Sequence, residues 1–169
     1  NPFDGIDVGG NVGDNSAPVF ADLDGDGDLD LVVGAGVVGE DYFVLYYYEN
    51  VGPALRPSYA SGFTSTANPF DGIDVGDMST PAFVDLDGDG DLDLVVGESG
   101  GALFYYENVG SAASPSYAAV TGSASPFDGI YVGSRSTPAF VDLDGDGDLD
   151  LVVGEGDGLL EFLANSYCT

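Results

Sequence analysis

Asp22-Leu23-Asp24-Gly25-Asp26-Gly27-Asp28-Leu29-Asp30 recurs unchanged as Asp85 to Asp93 and as Asp142 to Asp150, and each copy runs directly into Leu-Val-Val-Gly. Carboxylates at every second position bring a row of hard oxygen donors to one short loop. Glycines at the fourth and sixth positions accept the left-handed backbone that lets such a loop fold back around one cation. Without a cation the five aspartates of each copy would repel one another. The pattern reads as a calcium loop, with about one ion per copy and three in all. The candidate ligands are Asp22, Asp24, Asp26, Asp28 and Asp30 in the first loop, and Asp85, Asp87, Asp89, Asp91 and Asp93 in the second. In the third they are Asp142, Asp144, Asp146, Asp148 and Asp150.

An EF-hand shares the opening of this loop, but it needs a bidentate Glu at the twelfth position and a helix on each side. Here the twelfth positions are Val33, Val96 and Val153, inside a β-branched run that favours a strand. The loop must therefore close at its ninth residue. Side-chain oxygens from the first, third, fifth and ninth residues and the carbonyl of the seventh are the expected donors. The leucines at the second and eighth positions are expected to pack inward.

The 169 residues carry 30 acidic and 2 basic side chains, no histidine and a net charge of −28. Nucleic acid and anionic membrane are poor partners for such a chain, and metal cations are its natural counter-ions. Disorder is the alternative that so much charge suggests, but 44% of the residues are hydrophobic and 12% aromatic, which is enough to build a core. The acidity is concentrated, because the three loops hold 15 of the 30 acidic residues. Three bound dications would bring the net charge from −28 to −22. No apolar run approaches the roughly 20 residues needed to cross a bilayer as a helix, so membrane insertion is not expected. The chain opens on Asn1-Pro2-Phe3, with no initiator Met and no signal-like segment, and reads as a mature chain or a fragment. Loops of modest affinity suit millimolar calcium, which favours an extracellular, secreted or cell-surface setting. Cys168 stands alone; it has no internal disulfide partner and reads as an inert thiol, with an intermolecular bridge as the alternative.

The phrase Asn68-Pro-Phe-Asp-Gly-Ile-Asp-Val-Gly returns as Ser125-Pro-Phe-Asp-Gly-Ile-Tyr-Val-Gly 57 residues later, and its first copy, at Asn1, lies 67 residues earlier. The repeats are then 1–67, 68–124 and 125–169. The first is longer by ten residues, placed around Gly10 to Ser16 and Ala35 to Tyr42, where insertions would lengthen turns. Each repeat reads as β throughout. In the second, the strands fall at Ser79 to Val84, Leu92 to Gly97, Ala102 to Asn108 and Pro115 to Val120, with the acidic loop joining the first two. The fold class is all-β: tandem four-stranded antiparallel blades of propeller type, three copies, the third lacking its fourth strand.

The loop, entered from Pro-Ala-Phe and left through Leu-Val-Val-Gly, resembles the FG-GAP and VCBS repeats of integrin α-chain-like β-propellers. That resemblance covers nearly the whole chain. It implies calcium in the loop between the first two strands, and roles in adhesion, extracellular recognition or scaffolding.

Closed propellers contain at least about four blades, and an unfinished blade exposes strand edge that recruits other strands. Copies of the chain are the expected partners, in an open filament or, less readily, a closed ring; a piece of a longer array is the other possibility. The expected function is a calcium-stabilised structural or adhesive repeat protein. The alternative is a calcium-dependent module that binds a glycan or an extracellular protein. An enzyme is not expected, because the aspartates follow one loop pattern and no histidine, lysine or nucleophilic constellation accompanies them. Tyr46 to Tyr48, Tyr105 and Tyr106 read as core before they read as a sugar platform. Arg56 and Arg135, the two cations, read as surface ion-pair partners. The Pro-Phe-Asp-Gly segments read as turns with a buried phenylalanine that join successive repeats. Ser61 to Thr66 and Ser111 to Ser116 read as solvated loops, with O-glycosylation as the alternative.

Overall fold

The computed structural model describes residues 3–4, 6, 16–36, 43–53, 55–60, 68–76 and 78–163. Over these the chain forms ten strands: β1 Ala17–Ala21, β2 Asp30–Gly36, β3 Phe43–Tyr48, β4 Thr80–Val84, β5 Asp93–Gly97, β6 Leu103–Asn108, β7 Tyr117–Val120, β8 Thr137–Val141, β9 Asp150–Gly154 and β10 Leu160–Leu163. The only helical element among the described residues is a single 3-10 turn at Gly122–Ala124. No helix there is long and apolar enough to cross a membrane.

The strands make three antiparallel sheets in simple up-and-down order, β1-β2-β3, β4-β5-β6-β7 and β8-β9-β10. Each acidic loop links the first two strands of a sheet. The register is the same in all three, with Ala21 opposite Asp30, Val84 opposite Asp93 and Val141 opposite Asp150. The run after the loop is strand as expected, and Val33, Val96 and Val153 lie buried within it. In the first repeat Ala35 and Gly36 continue β2 and pair with Val44 and Phe43. The described part of that insertion therefore extends a hairpin instead of only widening a turn. Tyr59 is bridged to Asn50, at the position where Tyr117 opens β7 in the second repeat. Ser61 to Thr66, Asn165 and Cys168 lie outside the described residues, as does most of each insertion.

Successive sheets face one another with β1 beside β4 and β4 beside β8. One core cluster fills the space between the first and second sheets, with Val32 and Leu45 from one side and Leu94, Val96 and Tyr106 from the other. Phe70 and Val75, from the segment joining the two, are wedged between them. The second interface repeats the plan: Val95 and Leu103 face Leu151 and Val153 across Phe127 and Val132. The segments at 69–72 and 126–129 are therefore joints with a buried phenylalanine, as expected, whereas Phe3 of the first copy is 44% exposed. Ile73 donates its amide to the Phe70 carbonyl at 3.0 Å and Ile130 to that of Phe127 at 3.0 Å. Gly72 and Gly129 take the positive φ those turns need, 83° and 77°.

The expectation that the loop leucines pack inward also needs correction. Among the leucines of the loops, Leu23 and Leu86 are buried, but Leu29, Leu143 and Leu149 are exposed and Leu92 is half-buried. The second-position leucine packs inward only where a following sheet supplies the wall. The eighth sits on the loop rim, where in the second repeat Tyr117 reaches it and donates its hydroxyl to the Leu92 carbonyl at 3.1 Å.

Candidate metal loops and their anchoring

Each acidic loop is shaped by its first aspartate. Asp22 takes the Gly25 amide on Oδ1 at 2.8 Å and the Gly27 amide on Oδ2 at 3.0 Å. Asp85 does the same with Gly88 and Gly90 at 2.8 and 3.0 Å, and Asp142 with Gly145 and Gly147 at 2.7 and 3.2 Å. These amides are in position because both glycines adopt left-handed φ, 74° and 92° in the first loop and within a few degrees of that in the others. A side chain there would strain the turn. Asp24 and Asp26 then accept the amides two residues on, at 3.1 and 2.8 Å.

This wrapping brings Asp22, Asp24 and Asp26 together so that one carboxylate oxygen of each lies within 4.8 Å of the others. Asp85, Asp87 and Asp89 form the same group, as do Asp142, Asp144 and Asp146. Three hard oxygen donors converging at the rim of a tight loop suit a calcium-sized ion. Asp28, Asp91 and Asp148 are not in these groups; each gives its amide to the fifth residue of its loop.

The ninth aspartate has a different environment. Asp30 and Asp93 are buried beneath their loops. Asp93 Oδ2 accepts the Leu86 amide at 3.1 Å and the Tyr105 hydroxyl at 3.0 Å, while Oδ1 accepts the Asn108 amide at 2.8 Å. Asp30 repeats this with Leu23 at 3.1 Å, Tyr47 at 3.1 Å and Asn50 at 2.8 Å. Burial raises both carboxyls above the ordinary carboxylate range, and the three hydrogen bonds partly oppose it. The same contact, with burial as the larger cause, pushes the Tyr47 and Tyr105 phenols far above their usual value. An ionised carboxylate offers about four acceptor positions, so about one remains on each of these residues for an ion. Their visible work is to tie the loop to the third strand. Asn108 extends the tie, its Oδ1 accepting the Gly110 and Ser116 amides, both at 3.0 Å.

The third loop differs at one anchor. Asp150 is buried and accepts the Leu143 amide at 3.2 Å, but the residue in register with Tyr47 and Tyr105 is Phe162, which has no hydroxyl to give. Sequence reasoning did not pick out Tyr47, Tyr105, Asn50 and Asn108 as anchors. The recurrence of Tyr-Tyr-Glu-Asn in two repeats and Phe-Leu-Ala-Asn in the third was the available signal.

Comparison with known families bears on this geometry directly. Residues 85–153, from the first aspartate of the second loop to the strand that leaves the third, match the family model of the FG-GAP-like repeat. The match is in keeping with the FG-GAP and VCBS resemblance, and the first loop, outside the matched span, has the same sequence and the same hydrogen bonds. No curated protein matches the chain.

Proposed function

We propose that the chain is an extracellular, calcium-stabilised structural or adhesive repeat protein whose sheets are propeller-type blades and which assembles with copies of itself. The observation that carries this reading is the threefold recurrence of one acidic loop, with three carboxylates converged in the same way at the same corner of each sheet. Asp22, Asp24 and Asp26, with their counterparts in the other two loops, would hold the ion, and the ninth aspartate would supply at most one further oxygen. A bound dication would offset the mutual repulsion of the loop carboxylates and lock the hairpin between the first two strands, adding its binding free energy to the stability of the fold. Catalysis forms no part of this role. Recognition of a glycan is less well supported, because Tyr48, Tyr105 and Tyr106 are buried within the sheets and so present no aromatic platform.

Negative-stain microscopy in millimolar calcium, and again after chelation, tests the reading. Fibres that fray on chelation are expected. Uniform monomeric particles under both conditions would overturn the self-assembling part of it.

A further inference from the structure

We propose that the open face of the third sheet docks the first sheet of a second copy of this chain, head to tail, as a third instance of the interface the chain already makes twice within itself. The proposal rests on the self-assembling reading above and specifies its contact.

Gly34, Gly97 and Gly154 occupy the same register position, at the end of Leu-Val-Val-Gly in each sheet. A methyl group on Gly34 would strike the carbonyl oxygen of Ser79, and one on Gly97 that of Ser136, with the serine Oγ atoms only 2.9 and 2.7 Å away. Glycine is needed at both because the next sheet presses its leading serine into that place. Thr80 completes the clasp by donating its hydroxyl to the Ser136 carbonyl at 2.6 Å. Around Gly154, by contrast, the nearest atom to such a methyl is 3.7 Å away, in Leu160. The slot is present, with Thr137 in the place of Thr80, and no described residue of another sheet fills it.

The apolar wall beside the slot is uncovered in the same way. Leu45 and Leu103 are 2% and 7% exposed, whereas their counterpart Leu160 is 76% exposed. Tyr47 and Tyr105 meet Phe70 and Phe127 edge-on, with ring centroids 6.5 and 6.1 Å apart, whereas their counterpart Phe162 is 54% exposed. Scattered exposed leucines are ordinary; a whole face whose two internal twins are buried is not.

The matching half lies at the other end of the same chain. Ser16, the counterpart of Ser79 and Ser136, is exposed. Phe3 already stacks on Tyr59 at 5.7 Å, as Phe70 stacks on Tyr117 at 5.2 Å, and yet it is 44% exposed where Phe70 and Phe127 are 2%. In the docked pair Ser16 enters the Gly154 slot and Phe3 meets Phe162. Continuity with the internal interfaces selects a second copy as the occupant, because the first sheet carries the serine, the joint phenylalanine and the register that the slot accepts. Such a contact is heterologous, closing into a ring or running on as a filament according to the rotation it imposes. With −28 charges on each chain, docking is expected to need a cation.

Sedimentation velocity in millimolar calcium, on the wild-type chain and on Gly154→Ala and Leu160→Asp, tests the contact. Wild type is expected to sediment above monomer. Both variants are expected to lose that boundary while keeping the wild-type circular dichroism, since neither position is packed against another sheet within one chain. Because Gly154→Ala keeps its Ser16 end, adding it to wild type should also reduce the mean size of wild-type assemblies. If Gly154→Ala perturbs the sheet, Leu160→Asp decides alone. Variants that assemble as wild type does overturn the docking surface and leave self-assembly standing. A wild type that stays monomeric overturns both, and leaves a further repeat of a longer chain as the occupant. A closed ring that both variants dissolve upholds the surface and removes only the filament.

Discussion

The Tyr105 hydroxyl donates to the Asp93 carboxylate at 3.0 Å, fastening a buried ninth aspartate to the strand that runs alongside it. Removing the hydroxyl leaves a buried charge with two of its three donors. Hydrogen bonds to charged groups contribute about 1.5–3 kcal/mol each, so Tyr105→Phe is expected to lower stability by about that amount in urea unfolding. Phe162→Tyr should act in the opposite sense and more weakly, because the third sheet's outer face is open to solvent. No change from Tyr105→Phe would show that the contact is geometrically present and energetically idle.

The serine clasp gives a position-dependent glycine effect. Gly97→Ala drives a methyl into the Ser136 backbone and is expected to destabilise the chain by about 1–3 kcal/mol, the usual cost of overpacking. Gly154→Ala, measured at a concentration where the chain is monomeric, should change the melting temperature little. Equal losses at the two positions would mean that glycine is needed there for the strand itself and not for its neighbour.

Calcium linkage separates the loop carboxylates from ordinary surface charges. Asp87→Ala removes one of three converged donors and is expected to lower thermal stability in calcium but not in chelator. Differential scanning fluorimetry in both conditions checks this, and an equal loss in chelator would remove the metal from the account.

The alkaline limit of the fold follows from the tyrosines. Burial, aided by nearby aspartates, holds the phenols of Tyr47, Tyr105 and Tyr117 well above their ordinary value of about 10. A raised pKa means that the folded state keeps a proton the unfolded chain gives up. The stability they contribute is fully present below about pH 10 and is lost as pH rises beyond it. Tyrosinate absorbance from these three should therefore appear only together with loss of the β-sheet circular dichroism signal. Their titration while the sheets remain intact would contradict the buried contacts.

The sequence made the local features legible and left the long-range ones hidden. Loop glycines, β-branched exits and Pro-Phe-Asp-Gly turns are decided by neighbours a few residues away, and these appear where their patterns place them. The glycine ending Leu-Val-Val-Gly reads equally well as a turn residue. Only its contact with Ser79 or Ser136, from the next sheet, shows that it is a slot. The ninth aspartate reads simply as a ligand, because its anchors are the distant Asn50 and Asn108 amides and a phenol on the third strand. Leu143 shares its loop position with Leu23 and Leu86 yet is exposed, because the wall that buries those two belongs to the following sheet.

Calorimetric titration of calcium into chelator-treated protein, with the melting temperature followed in parallel, tests the central claim most directly. About three ions are expected to bind per chain, with a melting temperature that rises until the sites are filled. Absence of binding at millimolar calcium, or binding that leaves the melting temperature unmoved, would contradict it.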